Sequence, residues 1–415
     1  MKELYKELKA YGKIRVGIVG CGLMGSHLLA QLNKLDHFIP VAIASRRIES
    51  IQKACQEAGI DQAGIKICHD LEEAKKYIAH GYLVATTDNQ LLTDLDLDCL
   101  VDATGNTVAG AEISLAALKK GIHLVSLNVE MDVLIGPYLR KIARENRVVY
   151  TGTYGDEPGS IQELYEFCSF VGLEVIALGK GKNNPLNRHV TQEEVREEAL
   201  EKGLSPRMLT SFVDGTNTMI ELNCVCNATG FLPDIDGCHG LKANPENLVD
   251  FFGPDKKIKK TGVVDFVHGM APGVFAIVKG QDAMMDKELQ FLKMGKGPYY
   301  TIFRPYHLTS IETPISIAKA VIRQEESLLS TDLVAQTVAL AKRDLDPGQS
   351  LGGIGSNQVY GLLTSASRAQ EENLVPIGLL TEKSYLKDKV SKDQPLTFDQ
   401  VELEDTLLYR IYQEM

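Results

Sequence analysis

Hydrophobic and polar positions alternate in blocks along the first third of the chain, and these blocks predict strands and helices in turn. The apolar run Ile14–Val19 is short and rich in β-branched residues, and Leu28, Leu29 and Leu32 follow it at helical spacing. Such a run is typical of a parallel strand that is buried on both faces. Because strand and helix alternate as far as Thr151, the pattern predicts a doubly wound sheet of six strands.

The other elements of this first domain, residues 1–153, are predicted from runs of the same two kinds. Strands are expected at 38–44, 65–68, 99–106 with its terminal turn, 123–128 and 148–151, and helices at 1–12, 48–58, 71–79, 109–120 and 137–145.

The pattern changes in a second domain, residues 154–345, and again in a tail, residues 346–415. For the second domain we expect helices at 160–172, 191–202 and 315–324, a helical run at 333–342, and strands at 174–178, 219–226, 263–267, 273–279 and 299–303. These strands predict a mixed, partly antiparallel sheet, and the helix at 315–324 can return to pack on the first domain. The short strands and turns of the tail predict a small β-rich module. The fold class is therefore α/β, with a Rossmann domain followed by an α+β domain.

A glycine-rich turn joins the first predicted strand to the helix after it. Gly20, Gly22 and Gly25 have the spacing G-x-G-x-x-G, with Leu23 and Met24 between the last two. In a dinucleotide site the first glycine makes the turn, the second lets the backbone approach a pyrophosphate, and the third allows close helix packing. The helix N-terminus then favours the phosphate charge. Because the motif follows a strand and opens a helix, we predict a dinucleotide site, with a structural turn as the alternative.

The end of the second predicted strand bears on the choice of cofactor. Ser45, Arg46 and Arg47 stand there in place of the acidic residue that holds a ribose 2′-hydroxyl. A serine and two arginines suit a 2′-phosphate, so the sequence favours NADP over NAD. The arginines can equally begin a solvated helix.

Further cofactor contacts are expected at the carboxyl edge of the predicted sheet, where open α/β sheets bind ligands. Thr104 and Gly105 follow one buried strand, and Asn128 and Glu130 lie at the mouth of the next. We therefore predict that these four residues lie along the dinucleotide.

Composition narrows the class of protein. The chain has 415 residues, 44% of them hydrophobic and 24% charged, and its formal net charge is −11. The length predicts two or three domains. The acidic balance argues against nucleic acid or an anionic membrane surface as the main partner.

The eight cysteines lack the spacing of a disulfide framework, so we expect reduced thiols and a cytoplasmic protein without a spanning helix. Cys224 and Cys226 are expected on one strand face as packing, with metal binding as the alternative.

Two adjacent carboxylates occur between the two predicted domains. Asp156 and Glu157 lie in the segment Gly155-Asp156-Glu157-Pro158-Gly159. They can bind a divalent cation that polarises a carbonyl or diol. The alternative is a turn whose acidic residues cap the following helix.

A second candidate is the loop expected at residues 179–184, which contains two lysines. Lys180 and Lys182 can neutralise a phosphate or carboxylate there, and Lys182 can protonate a developing alkoxide. Solvation on an exposed loop is the alternative.

A third candidate contains Arg304 and His307. Arg304 can form a bidentate clamp on an anionic substrate, and histidine titrates near neutral pH. A purely structural histidine is the alternative. Weaker polar candidates are Asp214, Asn217, Glu221, Asn227, Thr229, His239 and His268.

Six short segments, in their order along the chain, resemble those of a known group. They are residues 20–25, 102–105, 128–130, 179–182, 273–275 and 304–308, and the β-rich tail follows them. The chain resembles the homoserine-dehydrogenase-like oxidoreductases with a C-terminal SAF domain, a group that includes the 1-deoxy-D-xylulose 5-phosphate reductoisomerase-like enzymes. The segment at 179–184 departs from the reductoisomerase-like members.

The resemblance implies a fold, an activity and two substrate contacts. It implies an NADP-dependent reduction, or isomerising reduction, of a small carbonyl compound of the sugar-phosphate, polyol or sugar-acid type, with Lys182 and Arg304 touching the substrate. Alternatives are a cofactor-binding sensor without turnover and a homoserine-dehydrogenase-type enzyme of an amino-acid pathway. We also expect a homodimer or homotetramer held by the sheet of the second domain, because a sheet with few helices leaves apolar surface to cover.

Overall fold

The computed structural model describes residues 1–328 and 330–415. Over these residues the chain forms two compact units. Unit 1 comprises Met1–Asp156, Leu308–Leu329 and Thr406–Met415, and unit 2 comprises Glu157–His307 and Ser330–Asp405. The division into 1–153, 154–345 and 346–415 stays a prediction.

The helices and strands are numbered in chain order. The helices are α1 Lys2–Tyr11, α2 Leu23–Leu32, α3 Ile48–Glu57, α4 Leu71–Ala79, α5 Asn89–Thr93, α6 Thr107–Lys119, α7 Val129–Glu145, α8 Glu157–Phe170, α9 Arg196–Glu201, α10 Pro206–Val213, α11 Thr216–Thr229, α12 Ala283–Phe291, α13 Thr309–Ala318, α14 Ala366–Glu371 and α15 Leu407–Glu414. The strands are β1 Ile14–Val19, β2 Phe38–Ala44, β3 Ile65–Ile67, β4 Leu83–Thr86, β5 Cys99–Asp102, β6 His123–Ser126, β7 Tyr150–Thr151, β8 Glu174–Lys182, β9 Leu232–Pro233, β10 Leu241–Lys242, β11 Val263–His268, β12 Val274–Lys279, β13 Tyr299–Arg304, β14 Ala335–Ala341, β15 Val359–Ser365, β16 Tyr385–Leu386 and β17 Val401–Glu402.

The sheet of unit 1 is parallel and doubly wound. Within the described part of the unit, seven strands pair in the order β3-β4-β2-β1-β5-β6-β7. The strand order reverses between β1 and β5, which is where sheets of this kind open a crevice for a ligand. The expectation of six strands is wrong by one, because β4 is a run of four buried residues that is too short to show a period.

The core of unit 1 combines the first strand and helix with a segment from much later in the chain. Ile14, Ile18 and Leu28 are fully buried. Ile317 and Ala318 of α13 belong to the same buried cluster. The late segment therefore completes the core of the dinucleotide-binding fold.

The sheet of unit 2 is mixed. Its main strands follow the order β10-β11-β8-β12-β13, and β9 pairs with β11. Strands β8, β10 and β11 are parallel to one another, whereas β12 runs antiparallel to both of its neighbours, β8 and β13. Helices α8 and α11 cover one face, where Ile161 and Leu222 pack with Leu178 of the central strand β8. Side chains on this face of β8 therefore lie beneath the two helices.

Small antiparallel sheets follow in the last part of unit 2. Strands β14 and β15 form a pair of seven residues each, and β16 pairs with β17. The first pair packs against α11. The α/β fold class, with a Rossmann sheet, a second mixed sheet and small C-terminal sheets, is confirmed.

Two predicted elements of unit 2 are wrong, and a third is shorter than predicted. The expected strand at 219–226 is part of α11, which is buried nearly all round and so lacks the polar stripe that marks a surface helix. Cys224 and Cys226 therefore do not share a strand face. The expected helix at 333–342 is β14, whose alanines and Leu340 also fit helical spacing. The helix expected at 191–202 is limited to α9.

Candidate functional site

The glycine-rich turn of unit 1 has room for a pyrophosphate at one glycine and none at the other two. A methyl group on Gly25 would lie 1.9 Å from the Gly20 carbonyl oxygen, and one on Gly20 would lie 2.4 Å from the Ala103 carbonyl oxygen. A methyl group on Gly22 would meet nothing within 4 Å. Gly20 and Gly25 thus permit the packing of the turn, while the backbone at Gly22 borders open space. These features fit a dinucleotide phosphate. Leu23 and Met24 form the start of α2 beside this turn.

The end of β2 presents two exposed cations. Arg46 and Arg47 are exposed and Ser45 is half-buried. Within the described residues, neither guanidinium makes a hydrogen bond or an ion pair. Both are therefore available to an anionic ligand such as a 2′-phosphate.

A buried network fixes the turn after β5. The Asp102 carboxylate, fully buried, accepts hydrogen bonds from the Thr104 backbone N–H at 2.9 Å, the Thr104 hydroxyl at 2.7 Å and Asn128 Nδ2 at 3.0 Å. Burial raises the pKa of Asp102, and these three bonds oppose the rise. Asn128 also donates to the Asn106 carbonyl oxygen at 2.9 Å. The side chains of Thr104 and Asn128 hold the turn, and a methyl group added at Gly105 would meet only open space.

Glu130 stands in the first turn of α7, at the same carboxyl edge of the sheet. Burial, with the charge of Asp102 adding to it, raises the pKa of Glu130 to about 7. This carboxyl therefore titrates near neutral pH.

In unit 2, alternate residues at the end of β8 face opposite sides of the sheet. A methyl group on Gly179 would lie 2.0 Å from the Asp265 carbonyl oxygen, and one on Gly181 would lie 2.3 Å from the Ala271 nitrogen. The glycines therefore let neighbouring backbone pack closely on one face. Lys180 and Lys182 lie on the opposite face, beneath α8 and α11. The prediction of a loop at 179–184 is wrong for these lysines, because β8 continues to Lys182. Both side chains are buried, which also contradicts the alternative of solvated lysines.

Lys180 is the centre of a buried ionic cluster. Its ammonium donates to Glu157 Oε1 at 2.7 Å and also bonds to Glu221 Oε2. Asn217 Nδ2 donates to Glu221 Oε1 at 2.8 Å, and His307 Nε2 lies 3.3 Å from Glu157 Oε1. Only 7% of the Lys180 side chain is exposed. Glu157 begins α8 and Glu221 lies on α11, so the two helices supply the carboxylates.

The ammonium and the carboxylates of this cluster stabilise one another in their charged forms. Burial alone would lower the pKa of Lys180, but the two carboxylates outweigh burial and raise it. Burial would likewise raise the pKa of Glu157, but the charges of Lys180 and His307 lower it. Lys180 therefore remains a cation and Glu157 an anion at neutral pH.

Lys182 is placed differently from Lys180. Its ammonium donates to the Phe212 carbonyl oxygen at 2.5 Å. Burial and then repulsion from Lys180 lower the pKa of Lys182 to about 8, against the opposing charges of Glu221 and Asp214. This amine can therefore give or accept a proton near neutral pH, which Lys180 cannot.

Arg304 and His307 also lie in unit 2. Arg304 Nη1 donates to Glu163 Oε2 at 2.6 Å, and its guanidinium carbon lies 4.8 Å from the centre of the Tyr306 ring. Arg304 pairs with Val274, which in turn pairs with Lys180, so the arginine stands in the same row of the sheet as the ionic cluster. An anionic group of a substrate would therefore share the Arg304 guanidinium with the Glu163 carboxylate.

The carboxylates proposed as metal ligands are partly committed to other partners. Glu157 is bound by Lys180 and His307, and Asp156 is half-buried at the end of the first segment of unit 1. Among the residues described, no group of three or more His, Cys, Asp or Glu is arranged to hold a metal ion. The Lys180 ammonium lies between Glu157 and Glu221, where a cation would otherwise balance them. The residues around Glu157 therefore do not fit a metal ion well.

The sequence alone did not single out Lys180, and it ranked Asn217 and Glu221 as weak candidates. The available signal was the two-residue period of Leu178, Lys180 and Lys182, which continues the strand to Lys182. The sequence pattern predicts a strand at 219–226, where the structure has the helix α11. The contact between Glu221 and Lys180 therefore does not follow from the sequence.

Two of the weaker histidine candidates have defined surroundings. His239 Nε2 lies 2.8 Å from Asp234 Oδ2. His268 pairs with Lys182 across neighbouring strands, and burial followed by the charges of Lys182 and Lys242 lowers its pKa. His268 is therefore a neighbour of the candidate site.

None of the helices in the described part of the chain has both the length and the apolar character needed to cross a membrane.

Two family models match consecutive parts of the chain. Residues 14–126 match the model of an oxidoreductase family with an NAD-binding Rossmann fold, and residues 155–313 match the model named oxidoreductase DRL, catalytic domain. The first contains the glycine-rich turn and the second contains the Lys180 cluster. Neither reaches the C-terminal sheets, so an SAF module stays a prediction. The comparison with curated proteins gave no match.

Several solved structures are similar in part. A probable dehydrogenase from Thermotoga maritima is 13% identical, with a TM-score of 0.44, covering 77% of this chain and 91% of that one. The putative oxidoreductase YvaA from Bacillus subtilis is 15% identical, with a TM-score of 0.38, covering 76% and 90%. A 1-deoxy-D-xylulose 5-phosphate reductoisomerase from Zymomonas mobilis, in complex with NADPH, is 18% identical, with a TM-score of 0.36, covering 51% and 56%. Similarity at this level does not bear on function, which rests on the two family models and the site geometry.

Proposed function

We propose that this NAD(P)-dependent oxidoreductase uses NADP to interconvert a small hydroxylated compound and its carbonyl form, with Lys182 as the proton donor and acceptor. The substrate is of the sugar-phosphate, polyol or sugar-acid type, and an isomerising reduction is included. The observation that carries the proposal is a buried amine with a pKa of about 8, beside a lysine that stays charged.

The chemistry assigns different tasks to the two lysines. Bound nicotinamide supplies or accepts the hydride. As negative charge develops on the substrate oxygen, the Lys182 ammonium donates its proton to that oxygen, and in the reverse direction the neutral amine accepts it. Lys180 keeps its proton in a site from which water is largely excluded, so its ammonium is proposed to donate a hydrogen bond to the developing oxyanion without giving up that proton. Arg304 and His307 are proposed to orient polar groups of the substrate.

The cofactor site is proposed to lie along the turn at Gly22 and the edge that contains Gly105 and Glu130. Open space beside Gly22 and Gly105 admits the backbone-to-phosphate contacts of a dinucleotide. The exposed guanidinium groups of Arg46 and Arg47 favour a 2′-phosphate, and hence NADP.

The proposed reaction uses no metal ion, because the Lys180 ammonium already occupies the position between Glu157 and Glu221. Exhaustive dialysis against EDTA is expected to leave turnover within about twofold of the untreated enzyme. Loss of turnover that is restored by Mg²⁺ or Mn²⁺ would instead assign Asp156 and Glu157 as ligands.

Absorbance at 340 nm, followed across a panel of polyols, sugar acids, sugar phosphates and homoserine with NADP or NADPH, tests the function. Turnover of at least one compound is expected. Tight binding of the cofactor with no turnover on any compound would support the sensor, and turnover of homoserine alone would support an enzyme of an amino-acid pathway.

The mixed sheet of unit 2 is also proposed to hold a homodimer or homotetramer. Light scattering at micromolar concentration is expected to give a mass at least twice that of the 45.6 kDa chain, and a monomer would contradict this.

A further inference from the structure

The C-terminal part of unit 2 reaches the candidate site through a buried lysine. Lys342 directly follows β14, and its ammonium lies 2.9 Å from Asp214 Oδ2. Only 2% of the Lys342 side chain and none of the Asp214 side chain are exposed. The lysine also donates to the Val190 and Ser356 carbonyl oxygens at 3.0 and 2.8 Å. The Lys342 ammonium is therefore held by one ion pair and two hydrogen bonds.

Asp214 stands in a short segment, residues 212–217, that contacts Lys182 directly and Lys180 through Glu221. Its Oδ1 accepts the Thr216 backbone N–H at 2.8 Å and so fixes the start of α11. Two residues before Asp214, the Phe212 carbonyl oxygen accepts the ammonium of Lys182. The segment ends at Asn217, whose amide holds Glu221 and, through it, Lys180. A shift of this segment would therefore move the partners of both lysines.

A second contact from the C-terminal part holds the same segment. The Gly361 backbone N–H, on β15, donates to Thr216 Oγ1 at 2.8 Å. A methyl group on Gly361 would lie 2.9 Å from Thr216 Cγ2, so the strand and the helix start are in close contact. The start of α11 is thus held from two points of the C-terminal hairpin.

Stability alone is a poor explanation for this ion pair. Removing two charges from water costs several kcal/mol, and apolar residues of similar volume often replace such pairs with no loss of stability. Burial lowers the pKa of Lys342 and raises that of Asp214, so it disfavours both charges. What the pair does supply is a fixed orientation for residues 212–217.

We infer that Lys342 is a positioning residue of the active site, which acts through Asp214 to hold the Phe212 carbonyl and hence Lys182. The inference rests on the proposed function of Lys182. It gives the C-terminal part of unit 2 a role in catalysis, although it supplies no group that touches the substrate.

The groups that set the charge state of Lys182 can be named. Lys180 on the same strand repels its ammonium, whereas Glu221 on α11 and Asp214 before that helix attract it. His268 faces it from β11. Replacing Asp214 by a neutral residue removes one attraction, so Lys182 should then lose its proton at a lower pH.

The test compares Lys342→Met with the double variant Asp214→Asn/Lys342→Met. The single variant leaves a buried carboxylate without its cation, so we expect lower thermal stability and a kcat reduced about tenfold or more. The double variant removes both charges, so we expect it to recover most of the stability but not kcat. Cofactor affinity should stay within about twofold of the wild type. Lys383→Met is the matched control, because this lysine lies in the same part of the chain with 74% of its side chain exposed.

A measurement that needs no substrate accompanies the kinetics. Lysine labelled with ¹³C at Cε reports the titration of Lys182, whose signal is assigned by its loss in Lys182→Met. We expect the midpoint for Lys182 to fall in the double variant relative to the wild type. If kcat recovers together with stability, or if the midpoint is the same in all variants, the pair is only structural and the inference is wrong.

The outcomes also separate the inference from the proposed function. Full activity in Lys182→Met would overturn the proposed function itself. An inactive Lys182→Met together with an unchanged kcat in the double variant would overturn only the role of Lys342.

Discussion

The two regions that make up the proposed enzyme differ in how they use polar groups. At the carboxyl edge of the unit 1 sheet, Asp102, Thr104 and Asn128 hydrogen-bond to one another and hold the turn, and the open positions are at Gly22 and Gly105. The end of β8 in unit 2 instead has charges beneath two helices. The backbone of the first region leaves space for the cofactor that we propose, and the buried charges of the second region fit the proton transfer that we propose.

The comparison teaches that binding and chemistry place different demands on a sequence. A phosphate-binding turn needs small residues at fixed spacing in one continuous stretch. A site that stabilises charge needs groups from several elements, here Glu157, Lys180 and Glu221, held where water is scarce.

Lys180→Met should affect the protein most. It leaves Glu157 and Glu221 buried without their shared cation, and breaking a buried pair in this way costs about 3–5 kcal/mol of unfolding free energy. Denaturant unfolding and the 340 nm assay measure the loss of stability and of turnover. Lys260→Met, at a lysine with 67% of its side chain exposed, is the control. A Lys180→Met protein as stable and active as this control would remove the electrostatic part of the comparison.

Gly22→Ala should affect the cofactor site without affecting the fold. The added methyl group meets no protein atom within 4 Å, but it occupies the space assigned to the pyrophosphate. We expect NADP affinity to fall about tenfold or more, which is about 1.4 kcal/mol, with an unchanged melting temperature. Gly25→Ala is the contrasting variant, because its methyl group would overlap the Gly20 carbonyl and should lower both affinity and stability. Unchanged affinity in Gly22→Ala would place the cofactor elsewhere.

The double variant Arg46→Ala/Arg47→Ala should have a smaller and more selective effect. A hydrogen bond to a charged group contributes about 1.5–3 kcal/mol, so NADP binding should weaken about tenfold or more while NAD binding hardly changes. Titration calorimetry with both cofactors measures this. Equal affinity of the wild type for NAD and NADP would show that the two arginines only begin a solvated helix.

The sequence allowed far more of unit 1 than of unit 2 to be predicted. The turn from Gly20 to Gly25 is local, and its spacing and flanking pattern are visible in a single stretch. The strand β4 was missed because four residues are too few to show a period.

The Lys180 cluster depends on packing between distant segments. Glu157 and Glu221 are separated by more than sixty positions, and α11 lacks a polar stripe because it is buried nearly all round. The pattern of its apolar residues therefore fits a strand as well as it fits a helix. The pairing of Lys342 with Asp214 has no local signal, because it joins the residue after β14 to a residue just before α11, far apart in the sequence.

The pH dependence of kcat for carbonyl reduction, measured for the wild type and Lys182→Met, tests the central claim most directly. Because the pKa of Lys182 is lowered to about 8, its ammonium form is present below that pH and is lost as the pH rises. We therefore predict a wild-type kcat that falls above about pH 8. Lys182→Met should lower kcat by roughly 10²-fold or more, lose that dependence and keep its NADP affinity. A Lys182→Met enzyme with nearly unchanged kcat and the same pH profile would contradict the account.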